Sequence, residues 1–516
     1  MKAFLMYRDR DFGLKDGLPT NAADLAQDLE LDTLFNALAG GDAFFLDVAK
    51  KSVLASLRDT ETILYRQNIL KDCIEQAQIV REIYGIAVEA IERERKVWGW
   101  MLDRYPEGTL HRSVEVLELF FELLKRLRLI ADQHCAKFRS DGFRRFFDMI
   151  ARELDDEYLR IIEDHLHRLS FGNGILMSAG LGEGNKGINY VLHKRIETKQ
   201  NWFTRVQNWL EQVTGRNGRA FTYEIADRDE AGFRALQELR NRGVSQVAIA
   251  LGQSTDHILS FFRMLRLELG FYVACLNLHE QLNRKGEITC FPQPLPMEPP
   301  RLTFSGLYDV CLTLSTTGKV IGNDAIADGK SLVMITGANR GGKSTFLRSI
   351  GVAQLMMQCG MFVPAQSFRA NVCDGIFTHF KREEDATMKC GKLDEELGRM
   401  SAIVHAVTPH SIALLNESFA STNEREGSEI ARQIVRALLE MKIKVFYVTH
   451  MFDLAQGFCL AKMDSALFLR AERLATGQRT FRLVEGEPLP TSYGQDLYHH
   501  IFGADHDAAG IATSSA

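Results

Sequence analysis

Residues 337–344 read Gly-Ala-Asn-Arg-Gly-Gly-Lys-Ser and fit the pattern G-x-x-x-x-G-K-[S/T] at every fixed position. The chemistry that this spacing serves is phosphate binding. Glycines let main-chain amides curl around phosphate oxygens, and a following helix adds the positive end of its dipole. Lys343 would reach the β- and γ-phosphates, and the Ser344 hydroxyl would serve Mg²⁺. The expected ATP-binding set is Gly337, Ala338, Asn339, Arg340, Gly341, Gly342, Lys343, Ser344 and Thr345. Further along, SIALLNESFAST (411–422) runs four apolar residues into Asn416 and Glu417. In nucleotide-hydrolysing folds such a buried strand usually ends in two acids; here the first is an amide.

These residues need elements to hold them. SLVMIT (331–336) reads as a strand before the loop and FLRSIGVAQLMMQ (346–358) as a helix after it. With SIALL (411–415) and KVFYVT (444–449), the alternation of short apolar strands with helices predicts a parallel α/β sheet. Upstream the pattern is helical. SVEVLELFFELLKRLRLIA (113–131) sets Leu117, Phe120, Phe121, Leu124 and Leu127 on one face, and residues 257–282 carry a broad apolar stripe. Five of the eleven prolines fall in FPQPLPMEPP (291–300), which reads as a linker. The expected division is an N-terminal segment (1–30), a mainly helical core and lever domain (31–290), the linker (291–302), an α/β ATPase domain (303–502) and a disordered tail (503–516). A second glycine pattern, G-x-G-x-x-G at 182–187, lacks a surrounding βαβ unit and reads as a structural turn.

Composition narrows the class. Hydrophobic content of 46% and charged content of 25% suit a globular protein, and no long apolar run predicts a membrane span. The nine cysteines are scattered without a C-x-x-C pair, which predicts reduced thiols and a cytoplasmic location. A net charge of −5 means that any nucleic-acid contact must come from local basic patches.

The stretch TGANRGGKSTFLRSIGVAQLMMQCGMFVPA (336–365), with VIGND (320–324), IFTHF (376–380) and THMFDLA (449–455), resembles the ATPase domain of the MutS family of DNA mismatch-repair proteins. The resemblance is specific over about 310–460 and fainter over 31–290, where ETILYRQNILKDCIE (61–75) is similar to the start of that family's helical core. It implies an ABC-type phosphate-loop ATPase domain behind a helical core, with ATP and Mg²⁺ as ligands and a composite site in a homodimer. By position, Glu417 would be the catalytic base that aligns water, His450 the γ-phosphate sensor, Lys343 the catalytic lysine, and Ser344 and Asn416 the metal residues. Thr422, Asn423 and Gly427 fall in the loop that would approach the partner subunit. Two positions depart from the pattern. Asn416 replaces an Asp, which removes a negative charge and predicts slow hydrolysis. The trans-acting serine is replaced near Gly391 and Lys392 in KCGKLDEEL (389–397).

The resemblance is closer to a shorter MutS-related form. Roughly 30 residues precede the helical core, fewer than a mismatch-reading domain needs, and no nuclease-like domain is expected after the ATPase. The Phe-x-Glu at Phe120-Phe121-Glu122 lies in an amphipathic helix and reads as core and surface. Candidate DNA contacts are Lys125, Arg126, Arg128, Lys137, Arg139, Arg144 and Arg145, weighed against solvated helix faces balanced by acids. Three functions follow: an ATP-dependent DNA-binding protein acting on repair or recombination intermediates, a hydrolysis-poor ATP-bound clamp, or an ABC-type ATPase working in a complex without DNA contact. Repair or recombination proteins are expected partners.

Overall fold

The computed structural model describes residues 1–14, 17–97, 106–169, 177–183, 187–193, 230–382, 391–474 and 476–490. The expected tail lies outside them. The helices are α1 (Ala22–Asp28), α2 (Leu31–Ala39), α3 (Ala43–Leu54), α4 (Thr60–Glu75), α5 (Ala77–Lys96), α6 (Pro106–His134), α7 (Asp141–Glu153), α8 (Asp156–Leu169) and α9 (Glu230–Arg284). Beyond them come α10 (Val310–Ser315), α11 (Lys343–Gln358), α12 (Lys392–Ala406), α13 (Glu424–Glu440) and α14 (Phe452–Leu460). The chain forms two compact units. One holds Met1–Lys2, Glu82–Cys135 and Phe147–Arg266; the other holds Ala3–Arg81, Ala136–Phe146 and the chain from Leu267 onward.

In the first unit, α6 buries the predicted face: Leu117, Phe120, Phe121, Leu124 and Leu127 are all in the core. The Phe120 ring lies 5.5 Å from that of Phe262. Glu122 meets Arg93 at the surface, so Phe120-Phe121-Glu122 is core and surface as expected. The unit is not wholly helical. Strands β1 (Met177–Leu181) and β2 (Gly187–Leu192) pair antiparallel, with Leu181 opposite Gly187. The second glycine pattern therefore joins a hairpin and opens no βαβ unit; its residues 184–186 lie outside the described residues.

The second unit contains two sheets. Strands β3 (Gln293–Leu295), β4 (Leu302–Leu307), β5 (Asn323–Ile326) and β7 (Ser367–Asn371) form one, in the order β3-β7-β4-β5. The proline-rich segment expected as a linker is thus built into a sheet, because β3 runs parallel to β7 at its edge. An edge is where a strand tolerates proline, which lacks a main-chain donor. The larger sheet has the order β12-β11-β6-β10-β9-β8, from β6 (Leu332–Gly337), β8 (Ile376–Phe380), β9 (Ile412–Asn416), β10 (Lys444–Val448), β11 (Ala466–Arg473) and β12 (Arg479–Glu485). All its pairings are parallel except β11 with β12. Strands β6, β9 and β10 are apolar runs because helices cover both faces. Met334, Leu415 and Tyr447 pack with Met400 of α12, Val435 of α13 and Leu454 of α14. On the other face Gly351 of α11 sits so close to Leu414 that a Cβ would stand 2.6 Å from its side chain.

The first residues of the chain are tied into this unit. Glu268 of α9 is buried and accepts the main-chain N–H groups of Leu5 and Phe12, at 2.6 and 3.3 Å. Burial raises its pKa to about 7. Arg66 of α4 is buried as well and donates to the Met6 carbonyl at 2.9 Å.

Candidate nucleotide site

The strand order places the candidate residues side by side. β10 lies between β6 and β9, and the carboxyl ends of all three point the same way. The phosphate loop leaves β6, His450 follows β10, and Asn416 and Glu417 end β9. Ligands of parallel α/β sheets bind at such carboxyl ends.

Main-chain conformation explains the glycines. Gly337 has φ +105°, and a Cβ there would stand 2.8 Å from the Ala471 nitrogen on β11. Gly342, at φ +87°, caps α11 and leaves the first amides of the helix free to face an anion. Lys343 is the first residue of α11. Its ammonium donates to the carbonyls of Gly337 and Ala338, each at 3.0 Å. Burial, with Arg479 adding to it and Glu417 opposing it, lowers its pKa to about 8.

Glu417 sits just past β9 with φ +55°, a left-handed conformation unusual for a residue with a side chain. Its amide donates to the Val448 carbonyl at 2.9 Å. His450 Nε2 lies 2.9 Å from Glu417 Oε1, and this hydrogen bond holds the carboxyl below its usual pKa. The two residues are therefore in direct contact. Ser344 Oγ donates to Asn416 Oδ1 at 3.0 Å. A hydroxyl and an amide oxygen are hard donors of the kind Mg²⁺ accepts, so the pair fits that ion.

A cleft of about 440 Å³ gathers Asn339 through Phe346 of the loop and α11, together with Glu417 and His450. Its far wall is apolar: Tyr308, Leu312, Val320, Ile321 and Phe481. The segment VIGND thus reaches the cleft through Val320, Ile321 and Asn323. Phe481 and Arg479, which sequence reasoning missed, come from β12. Arg479 donates to the Asn339 carbonyl at 2.6 Å, and Asn323 donates to the Phe481 carbonyl at 3.3 Å. An edge strand some 140 residues after the loop carries no local motif that would have flagged it.

Other expected residues lie around this core. Asn423 caps α13 by accepting from the Glu426 amide, and Thr422 donates to the Glu426 carboxylate at 2.8 Å. Gly427 packs against the Phe419 carbonyl, where a Cβ would stand 2.4 Å away. Gly391 and Lys392 begin α12; residues 383–390 lie outside the described residues.

The candidate DNA contacts divide. Lys125 pairs with Glu163 at 3.2 Å, Arg126 with Glu89 at 2.7 Å, and Arg128 with Asp132 at 2.9 Å. Lys137, Arg139, Arg144 and Arg145 are exposed and form no ion pair among the described residues.

Fold and site together define a mixed α/β protein with a parallel-rich sheet, a glycine-rich loop between strand and helix, and a helical N-terminal region. Residues 58–285 match the MutS2 N-terminal domain, and residues 333–500 match MutS domain V. The chain belongs to the MutS family. It is 32% identical over 156 residues to the DNA mismatch repair protein MutS of Chlamydia pneumoniae, covering 29% of this chain and 19% of that protein. It is 30% identical over 200 residues to the same-named protein of Chlamydia muridarum (38% and 24%), and 29% identical over 169 residues to MutS protein homolog 4 of Mus musculus (33% and 17%). Each match spans less than a quarter of the relative's length. Among the described residues, no helix is long and apolar enough to cross a membrane.

Proposed function

We propose that this protein is an ATPase of the MutS type that couples ATP binding and slow hydrolysis to holding DNA. The observation that carries the reading is the convergence of Lys343, Ser344, Glu417 and His450 on one cleft, with Asn416 bonded to Ser344, at the carboxyl ends of three adjacent parallel strands. In this reading the loop amides and Lys343 cradle the phosphates, and the wall of Tyr308, Leu312, Val320 and Ile321 takes the base. Glu417 orients the attacking water and accepts its proton; the contact with His450 keeps it ionised for that task. Ser344 and Asn416 would hold Mg²⁺, which neutralises charge on the phosphates. Asn416 adds no charge of its own, so hydrolysis is slow.

Domain names and roles follow from this. The α/β part of the second unit is the ATPase domain and the helices upstream are the core and lever. Two copies form the active assembly, with the start of α12 turned to the partner's nucleotide. Lys137, Arg139, Arg144 and Arg145 contact DNA phosphates, since they are exposed and form no ion pair among the described residues. Repair or recombination proteins are the expected associates. Asn416 also favours a second reading, a clamp that binds ATP and holds it with almost no turnover.

The test is retention of labelled duplex and branched DNA with no nucleotide, ADP, ATP, or a non-hydrolysable ATP analogue. Nucleotide-dependent retention that Lys343→Ala abolishes supports the proposal. Retention that ignores nucleotide and the substitution defeats the coupling.

A further inference from the structure

His379 lies in β8, is fully buried, and plays no part in the site as described above. Its surroundings assign it a task. Nε2 lies 2.9 Å from the main-chain carbonyl of Glu396, in the second turn of α12. Nδ1 lies 2.7 Å from the hydroxyl of Ser418, the residue after Glu417. A carbonyl only accepts, so Nε2 carries a hydrogen. Burial, with Arg399 of α12 and Arg382 after β8 also disfavouring a charged ring, lowers the pKa of His379 to about 4. The ring is neutral at pH 7 and Nδ1 is an acceptor; the Ser418 hydroxyl lies within hydrogen-bond reach of both Nδ1 and the His379 main-chain carbonyl, 2.8 Å away, and has one hydrogen to share between them.

The segment this imidazole grips is strained. Glu417 and Phe419 both have positive φ, +55° and +64°, so Ser418 sits between two left-handed residues with side chains. Such conformations are costly for residues with side chains and persist only where the surroundings impose them. Several contacts impose them here. The Tyr447 hydroxyl donates to the Ser418 carbonyl at 2.7 Å, and the Phe419 ring stacks on His379 with centroids 5.4 Å apart. Ser421 donates to the buried Glu396 carboxylate at 2.8 Å. Glu396 therefore holds the loop twice, through His379 from its carbonyl and through Ser421 from its side chain. It stands one helical turn from Lys392, at the start of α12.

We infer that His379 is a positioning residue that fixes the Glu417 loop to α12, so that the placement of α12 sets the aim of the Glu417 carboxylate. The inference rests on the ATPase reading above. A neighbour within the loop could not do this alone, because the loop must be held against a separate element that begins at the expected partner-facing residues. Neither Ser418 nor His379 lines the cleft, so their loss leaves nucleotide contacts in place.

The experiment compares wild type with His379→Phe, His379→Gln and Ser418→Ala in the full chain. Steady-state hydrolysis gives kcat, and a fluorescent ATP analogue gives affinity. Displacing a reacting group by about 1 Å costs about 100-fold in rate, so His379→Phe is expected to lose 10- to 100-fold in kcat with affinity changed less than threefold. His379→Gln, which keeps a donor for the Glu396 carbonyl, recovers part of the loss. Ser418→Ala shows the same split and serves should the phenylalanine variant fail to fold. Equal kcat in wild type and Ser418→Ala overturns the inference, as does a parallel fall in kcat and affinity. Nitrogen-15 NMR of the wild type at pH 7 reads the ring directly: an Nε2–H tautomer supports the assignment, and an imidazolium or Nδ1–H tautomer overturns it whatever the hydrolysis rate. Wild type no faster than Lys343→Ala defeats the ATPase reading instead, and this role with it.

Discussion

The nucleotide cleft and the basic helical segments both hold charged residues that the sequence singles out, but the fold treats them differently. In the cleft, Lys343 is drawn onto two carbonyls of its own loop and Glu417 onto His450. Burial lowers the pKa of Lys343, and the hydrogen bond from His450 lowers that of Glu417 against the effect of burial. In α6, Lys125 and Arg126 face acids on the surface, where a pair is worth little, and the half-buried Arg128 pairs with Asp132 and donates to the Ala151 carbonyl at 2.6 Å. Of the candidate DNA contacts, Lys137, Arg139, Arg144 and Arg145 are exposed and form no ion pair among the described residues. A charged residue becomes informative when the fold either desolvates it or leaves it uncompensated.

Four substitutions or titrations sharpen this contrast, beginning with the largest effect. Glu417→Gln keeps the shape and removes the base; kcat is expected to fall by about 100- to 1,000-fold while nucleotide affinity holds. Lys343→Ala removes charge-assisted bonds to phosphate and should weaken ATP binding by about 100-fold, read by fluorescence titration. The third is pH. Lys343 is depressed to about 8 and would regain its proton more firmly beside phosphates. Affinity should therefore be nearly level below pH 7 and fall by about fivefold from pH 8 to pH 9, a slope absent from Lys343→Ala. The smallest effect tests the other region. Arg144→Glu with Arg145→Glu should lower the slope of log affinity for duplex DNA against log salt by about 2, whereas Lys125→Glu with Arg126→Glu leaves it unchanged. The reverse ranking would mean that surface pairing does not mark a cation as structural.

Much of the α/β part was legible because its signals are local. The loop glycines, the apolar runs of β6, β9 and β10 and the α11 helix each follow from a few consecutive residues. The helical face of α6 was legible for the same reason, from spacings of three and four. What escaped was non-local. The prolines at 292–300 read as a linker because the partner of Pro294, Ala370 of β7, lies far along the chain, and the hairpin of β1 and β2 is a small exception within a helical pattern. Phe481 enters the cleft, and Arg479 reaches the Asn339 carbonyl, from an edge strand. Glu268 looked like one more polar residue of a long helix; only the fold reveals the two N–H groups that it accepts. His379 stood within a quoted stretch, IFTHF, yet its partners, Ser418 and Glu396, lie 39 and 17 residues away.

The central claim is that Asn416 leaves a working but slowed ATPase. Steady-state ATP hydrolysis by wild type, Lys343→Ala and Asn416→Asp, each with and without duplex and branched DNA, tests it most directly. The account predicts that wild type turns over above the Lys343→Ala background, that Asn416→Asp is faster, and that DNA changes the wild-type rate. Wild type and Asn416→Asp both at the Lys343→Ala background would contradict it.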